Sequence, residues 1–274
     1  MGAVCNVCSR HCSIEEGGTG SCRARTCRDG EIVPLGYGRL TSMALDPVEK
    51  KPLQRFCPGS MILSVGSFGC NLCCPFCQNY EISAADAKSA ETRYVSPEEL
   101  AETAEGLEGR GNIGVAYTYN EPLVGWEYVR DTAVLVHEKG MKNVLVSNGS
   151  AGIETAAEIV PLMDAMNIDL KVFSEEGYKK LGGDLAQTEG FIKYAAGKTH
   201  IELTTLIVPG LNDDAGMMER EAAWIAGIDP EITLHVTRYF PGWKMKEPAT
   251  PAETVYGLAD TAHRYLRYVY TGNC

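Results

Sequence analysis

From Ser60 onward, short apolar runs alternate with amphipathic segments. The runs are Met61–Val65, Ile113–Tyr117, Asn143–Val146, Met166–Leu170, Ile201–Val208 and Ile232–Val236. Each is strand-length and rich in Val, Ile, Leu or Thr, and each is too continuous for a sheet wet on one face. Between them lie helical patterns. Ser96-Pro97-Glu98-Glu99 reads as an N-cap, a first-turn proline and a capping glutamate, followed by Leu100, Ala104 and Leu107 on one face. Trp126, Val129, Ala133 and Val136 repeat the stripe before Lys139-Gly140, and Thr250-Pro251-Ala252-Glu253 opens a third helix with Val255, Leu258, Ala262 and Leu266. Strands and helices alternating at this spacing predict βαβ units and a parallel sheet. Six strands are too few for a closed eight-stranded barrel, so the pattern allows a doubly wound sheet or an open, partial barrel.

Residues 1–59 break the pattern. They are cysteine-dense, carry Gly17-Gly18, Gly20, Gly36 and Gly38, and hold no long periodic segment. They read as a small, metal-supported N-terminal module packed on a main domain of residues 60–274.

Composition narrows the chemistry. The 274 residues carry a formal net charge of −11 and no run of Lys/Arg, which argues against DNA, RNA or an anionic membrane as partner. No stretch approaches the roughly 20 apolar residues of a membrane span, and no charged-then-apolar signal opens the chain, so a cytoplasmic protein is expected. Eleven cysteines are the abnormal number. Cys5, Cys8, Cys12, Cys22 and Cys27 form one cluster, Cys70, Cys73, Cys74 and Cys77 a second, and Cys57 and Cys274 stand apart. Converging soft thiolates suit metal or iron–sulfur ligation better than a disulfide framework.

The second cluster lies in Gly69-Cys70-Asn71-Leu72-Cys73-Cys74-Pro75-Phe76-Cys77-Gln78-Asn79, directly after the first predicted strand. Read as Cys70-xxx-Cys74-xx-Cys77, it offers three thiolates to a 4Fe–4S cluster and leaves one iron open for chemistry. Read as Cys70-xx-Cys73 with Cys74-xx-Cys77, it is a redox pair or a compact zinc site.

CxxxCxxC with an aromatic, Phe76, before the last cysteine resembles the signature of radical S-adenosylmethionine (SAM) enzymes. The stretches DPVEKKPLQRFCPGS, SVGSFGCNLCCPFCQNYEIS, TYNEP, NVLVSNG, DAMNIDLKVF, TTLIVPGLND and YVYTGN resemble the radical SAM enzymes of the AmmeMemoRadiSam system. Those are relatives of the pyruvate formate-lyase activating enzymes. The resemblance implies an α/β fold, a partial (β/α)6 barrel with the cysteine-rich N-terminal module. It implies a 4Fe–4S cluster on Cys70, Cys74 and Cys77, SAM on its open iron, and cleavage of SAM to methionine and a 5′-deoxyadenosyl radical.

Reacting groups of parallel barrels gather at the C-terminal strand ends. Asn120 and Glu121 follow the second predicted strand, and Glu121 could accept from the SAM ammonium. Ser147 and Asn148 end the third and offer hydroxyl and amide to ribose or carboxylate. Asp169 and Lys171 close the fourth and would bind the polar groups of SAM. His235, in the sixth, is placed by the resemblance on the methionine or ribose part. Phe76 completes the expected contacts.

Cys5, Cys8, Cys12 and Cys22 are expected to hold a second metal, zinc or an auxiliary 4Fe–4S cluster; spacing does not separate the two. The functional expectation is a radical SAM oxidoreductase acting on a protein or peptide, in the manner of a glycyl-radical activating enzyme. A low-potential ferredoxin or flavodoxin would supply electrons in an anaerobic or micro-aerobic cell. Two alternatives stand beside it: radical modification of an unidentified protein or small molecule together with Memo and AMMECR-type proteins, and a non-catalytic iron–sulfur or zinc electron-transfer protein.

Overall fold

The computed structural model describes residues 1–274. Its main sheet has eight strands in sequential order: β1 (Ser42–Pro47), β2 (Met61–Gly66), β3 (Asn112–Tyr117), β4 (Lys142–Ser147), β5 (Ala165–Asp169), β6 (His200–Ile207), β7 (Thr233–Arg238) and β8 (Val269–Gly272). β2 to β8 run parallel, and β1 is antiparallel to β2. β1 and β8 are the two edges and do not pair with each other, so the sheet stays open. All six predicted strands are present, and their sequential order, with no reversal within the sheet, selects the open, partial barrel over a doubly wound sheet. The two additional strands are the edges. β1 is half-exposed along its length and β8 buries only Val269, so neither shows the continuous apolar run of a strand covered on both faces.

Eight helices accompany the strands: α1 (Tyr80–Ser83), α2 (Pro97–Glu105), α3 (Trp126–Glu138), α4 (Ile153–Ile159), α5 (Glu175–Lys180), α6 (Leu185–Ala195), α7 (Ala215–Ile228) and α8 (Ala252–His263). The Ser96 hydroxyl caps α2, accepting from Glu99 N at 3.2 Å, and Leu100, Ala101 and Ala104 are buried. Leu107 falls beyond the helix end. No side chain caps α8; Thr250 Oγ1, just before it, donates to Ile207 O (2.6 Å) and ties the helix start to β6. One large apolar core joins the inner helix faces to the sheet. No helix is long and apolar enough to cross a membrane.

Residues 1–59 are divided between two roles. Ala3–Val4 pairs with Ser13–Ile14 and Arg25–Arg28 with Glu31–Pro34, as small hairpins outside the main sheet. Ser42–Pro47, by contrast, is the edge strand of the sheet itself. The chain then re-enters the barrel: Pro52 O accepts from Asn167 Nδ2 (2.9 Å), and the Gln54 and Arg55 amides donate to Glu202. This segment closes one end of the lumen as a floor.

Candidate active site

At the C-terminal ends of the strands the sheet encloses a cavity of about 580 Å³. Cys70, Cys74 and Cys77 line it, and so does every side chain that the sequence assigned to SAM. Asp169, Thr204, His235 and Tyr270 stand in one row across β5 to β8, since each is the register partner of the next. Glu202 lies two residues before Thr204, on the same face and one layer nearer the floor.

The cysteine loop follows β2 and is held by Asn120. Its Oδ1 accepts from Ser67 N (2.9 Å), and its Nδ2 donates to Phe68 O and Gly69 O (both 3.1 Å). Gly69 is required at its position, because φ is +85° and a Cβ would lie 2.5 Å from Cys22 O.

Glu121 is buried and fully engaged by the chain. Oε1 accepts from Leu123 N (3.0 Å) and Ser147 Oγ (2.7 Å), and Oε2 from Asn148 N (2.8 Å). Burial pushes its carboxyl up to about 6, against those three hydrogen bonds. Asn148 donates to Asn71 Oδ1 (2.9 Å) and faces Cys70 Sγ at 3.6 Å. Asn120, Glu121, Ser147 and Asn148 therefore build the mouth loops with the groups the sequence reading offered to a ligand. Asp169 and Lys171 differ: they form an ion pair at 2.7 Å while remaining partly accessible from the cavity. Burial opposes the Lys171 charge, but Asp169 and Cys74 outweigh it and raise its pKa.

Burial lifts the Cys70 thiol well above its usual range and pushes Cys74 up to about 12. Such thiols lose their protons when a metal replaces them. No group of three or more His, Cys, Asp or Glu side chains stands at metal-holding spacing. The fit to an iron–sulfur cluster rests on donor chemistry: three thiols from one loop face a single cavity, with the Lys171 cation beside Cys74.

At the floor, Glu202 is entirely buried and accepts four hydrogen bonds. They come from Gln54 N (3.0 Å), Arg55 N (2.8 Å), His200 Nε2 (2.9 Å) and His235 Nε2 (2.6 Å). Burial alone would raise its carboxyl, but these donors hold it at about 2. The proton on His235 Nε2 is thereby committed to Glu202, leaving Nδ1 as the ring's remaining polar atom, and the ring stacks on Tyr270 at 5.7 Å. The sequence reading missed Glu202 and Tyr270, and also Lys50 and Gln54, which line the cavity from the floor segment. The signal for Glu202 was available: an acid between Ile201 and Leu203 in an otherwise apolar strand.

The remaining predicted ligands, Cys5, Cys8, Cys12 and Cys22, lie outside this cavity and together line another, much smaller one. All eleven cysteines are free thiols.

The family model of the radical SAM superfamily matches residues 64–220, from β2 into α7. The chain belongs to the radical SAM superfamily. An uncharacterized protein of Methanocaldococcus jannaschii is 37% identical over 275 residues, covering 98% of this chain and 80% of the relative. GTP 3′,8-cyclase of Peptoclostridium acidaminophilum is 30% identical over 178 residues, covering 63% of this chain and 53% of that enzyme. Among solved structures, a domain of a pyruvate-formate lyase-activating enzyme from Bacteroides vulgatus shares the fold with TM-score 0.51 and 19% identity, covering 58% of this chain and 99% of that one. Streptococcus suis SuiB bound to S-adenosylmethionine gives TM-score 0.60 at 13% identity, over 78% of this chain and 52% of SuiB. Membership brings with it the general chemistry of the superfamily, SAM with a 4Fe–4S cluster.

Proposed function

We propose that this chain is a radical SAM oxidoreductase that takes a hydrogen atom from a protein or peptide, with Cys70, Cys74 and Cys77 as ligands of its 4Fe–4S cluster. The carrying observation is convergence: the three thiols and all the expected SAM contacts, drawn from the C-terminal ends of β2 to β5 and from the body of β7, line one cavity. When bound, the cluster and SAM supply one-electron cleavage to methionine and a 5′-deoxyadenosyl radical, the electron coming from a low-potential ferredoxin or flavodoxin.

The chain's own residues then divide the work. Asp169 and Lys171 hold the polar groups of SAM by charge. His235 presents Nδ1, oriented from behind by Glu202. Asn120, Glu121, Ser147 and Asn148 act one step back, fixing the loops that carry the cysteines. Phe76, buried in the cysteine loop, provides an apolar wall and excludes water. The lumen half bearing Lys50, Gln54, Thr237 and Tyr270 is left for the substrate and opens between the unpaired edges β1 and β8.

A macromolecular target is supported by the fold neighbours, which include an activating enzyme of pyruvate-formate lyase and SuiB bound to its precursor peptide SuiA. The grouping with the AmmeMemoRadiSam enzymes rests on sequence resemblance, in which the stretch DPVEKKPLQRFCPGS forms the end of β1 and the floor. The test is anaerobic reconstitution with iron and sulfide, then dithionite and SAM, with 5′-deoxyadenosine as readout. No 5′-deoxyadenosine from a fully loaded, reduced protein would overturn the reading.

A further inference from the structure

The first 28 residues make a knuckle that the radical chemistry does not use. Cys5 N donates to Cys12 O (2.9 Å), and His11 N to Cys8 O (3.2 Å), with His11 in the left-handed region at φ 39°. The chain thus doubles back between Cys8 and Cys12. It returns past Gly20, where a Cβ would lie 3.1 Å from the Ile14 side chain and 3.8 Å from Cys12 Sγ, and so delivers Cys22 to the same place. Cys5, Cys8, Cys12 and Cys22 line one small cavity. Cys27 does not; its sulfur faces Met1 O (3.5 Å) and Glu16 Oε2 (3.7 Å) instead.

A second observation points to a ligand. Arg25 also lines this cavity and is only 3% exposed. Its terminal nitrogens are held by Glu127 (2.9 and 2.6 Å), by Val124 O (3.1 Å) and by Ile32 O (3.4 Å). Its Nε is buried without any partner. A buried N–H donor left unpaired is costly, and native interiors rarely keep one without a reason. None of the four thiols accepts from it as they stand, and a neutral thiol sulfur is only a weak acceptor. Four thiolates on zinc, or on the irons of a cubane cluster, leave an anionic centre whose sulfurs accept N–H hydrogen bonds.

We propose that Cys5, Cys8, Cys12 and Cys22 form a tetrathiolate centre for a thiophilic metal, separate from the Cys70/Cys74/Cys77 loop, with Arg25 Nε donating to its sulfur edge. No three of these sulfurs stand at metal-holding spacing in the structure, so loading draws them inward around the cavity they already share. The centre abuts the catalytic loop. Arg10, on the same cavity, donates through Nε to Asn71 O (2.8 Å), and Asn71 directly follows Cys70. Metal loading therefore steadies the loop from behind, whichever metal is held.

The test uses full-length protein with Cys70, Cys74 and Cys77 all replaced by alanine, so that the radical-cluster ligands are gone. One arm adds zinc alone and the other ferrous iron with sulfide, both anaerobically. The expected result after desalting is roughly one zinc, or roughly four irons with sulfide, per chain. Zinc retention makes the centre structural, iron–sulfur retention makes it redox-active, and either upholds it. Adding Cys8→Ser and Cys22→Ser should abolish retention. Should those variants fold poorly, maleimide labelling of the wild-type chain supplies the second readout: Cys5 and Cys22 should be protected by metal and released by chelator. A triple variant that holds no metal in either arm, or thiols equally reactive with and without metal, overturns the proposal. Neither result depends on SAM cleavage, whose failure would show separately as missing 5′-deoxyadenosine in the wild-type protein.

Discussion

The mouth and the floor of the barrel each bury a glutamate, and the two carry opposite electrostatics. Glu121, at the mouth, is met by two backbone amides and a hydroxyl, and its carboxyl rises to about 6. Glu202, at the floor, is met by two backbone amides and two imidazoles, and its carboxyl falls to about 2. Both side chains are out of solvent, 3% and 0% exposed, but Glu121 is packed more deeply in protein and has Asp169 nearby, whereas Glu202 has one more donor. Burial prevails over three donors at the mouth, and four donors prevail over burial at the floor. The mouth holds an acid close to neutrality beneath loops that must accept ligands, whereas the floor holds a fixed anion that locks strand, loop and imidazole together.

The comparison breaks first at the cysteines. Cys70→Ala, Cys74→Ala or Cys77→Ala should each abolish 5′-deoxyadenosine formation while thermal melting stays close to wild type, and Cys73→Ala should keep activity. Activity lost in Cys73→Ala but kept in Cys74→Ala would show that the other cysteine register holds the cluster. Removing the floor anion should cost stability instead. Glu202→Ala leaves two imidazoles and two amides without their acceptor, a loss of about 3–5 kcal/mol by denaturant titration. A change below about 1 kcal/mol would show that the floor is held by packing alone.

Smaller effects belong to ligand contacts and to pH. Asp169→Asn and Lys171→Ala should each weaken SAM binding by about 1–3 kcal/mol with iron content unchanged. Equal SAM affinity in both would return the pair to a structural role. The pH slopes of the two glutamates should oppose each other. Glu202 has a depressed carboxyl, so its stabilisation is present above its ordinary value near 4.5 and is lost as pH falls toward 2. Glu121 has a raised carboxyl, so stability declines as pH climbs from its ordinary value near 4.5 to 6, by about 2 kcal/mol. Glu121→Gln should flatten that upper slope and leave the acid limb untouched; an unchanged upper limb would show that Glu121 is not its source.

Much of this was legible in the chain. The six apolar runs located six strands because strands covered on both faces are continuous in sequence. The C-terminal ends of those runs then gave the cavity lining without any coordinates. What escaped was of two kinds. Ser42–Pro47 and Val269–Gly272 escaped because edge strands bury little and show no apolar run. The internal engagement of Asn120, Glu121, Ser147 and Asn148 escaped because a polar residue at a strand end looks the same whether it faces a ligand or a neighbouring loop. Only the hydrogen-bond partners separate the two cases.

The floor also sets an order of events in folding. Gln54 and Glu202 are joined across 148 residues of chain, whereas the parallel strands pair in sequential order and each can be added to the one before. Closing a loop of that length carries a large entropic penalty, so short-range pairings should form ahead of it. On a ribosome, the segment that seals the barrel emerges early and meets its partners in two stages. Its apolar anchor, Leu53, packs with Ile62, Ala116, Val144 and Ala165 on β2 to β5, whereas the Gln54 and Arg55 amides stay without their acceptor until β6 delivers Glu202.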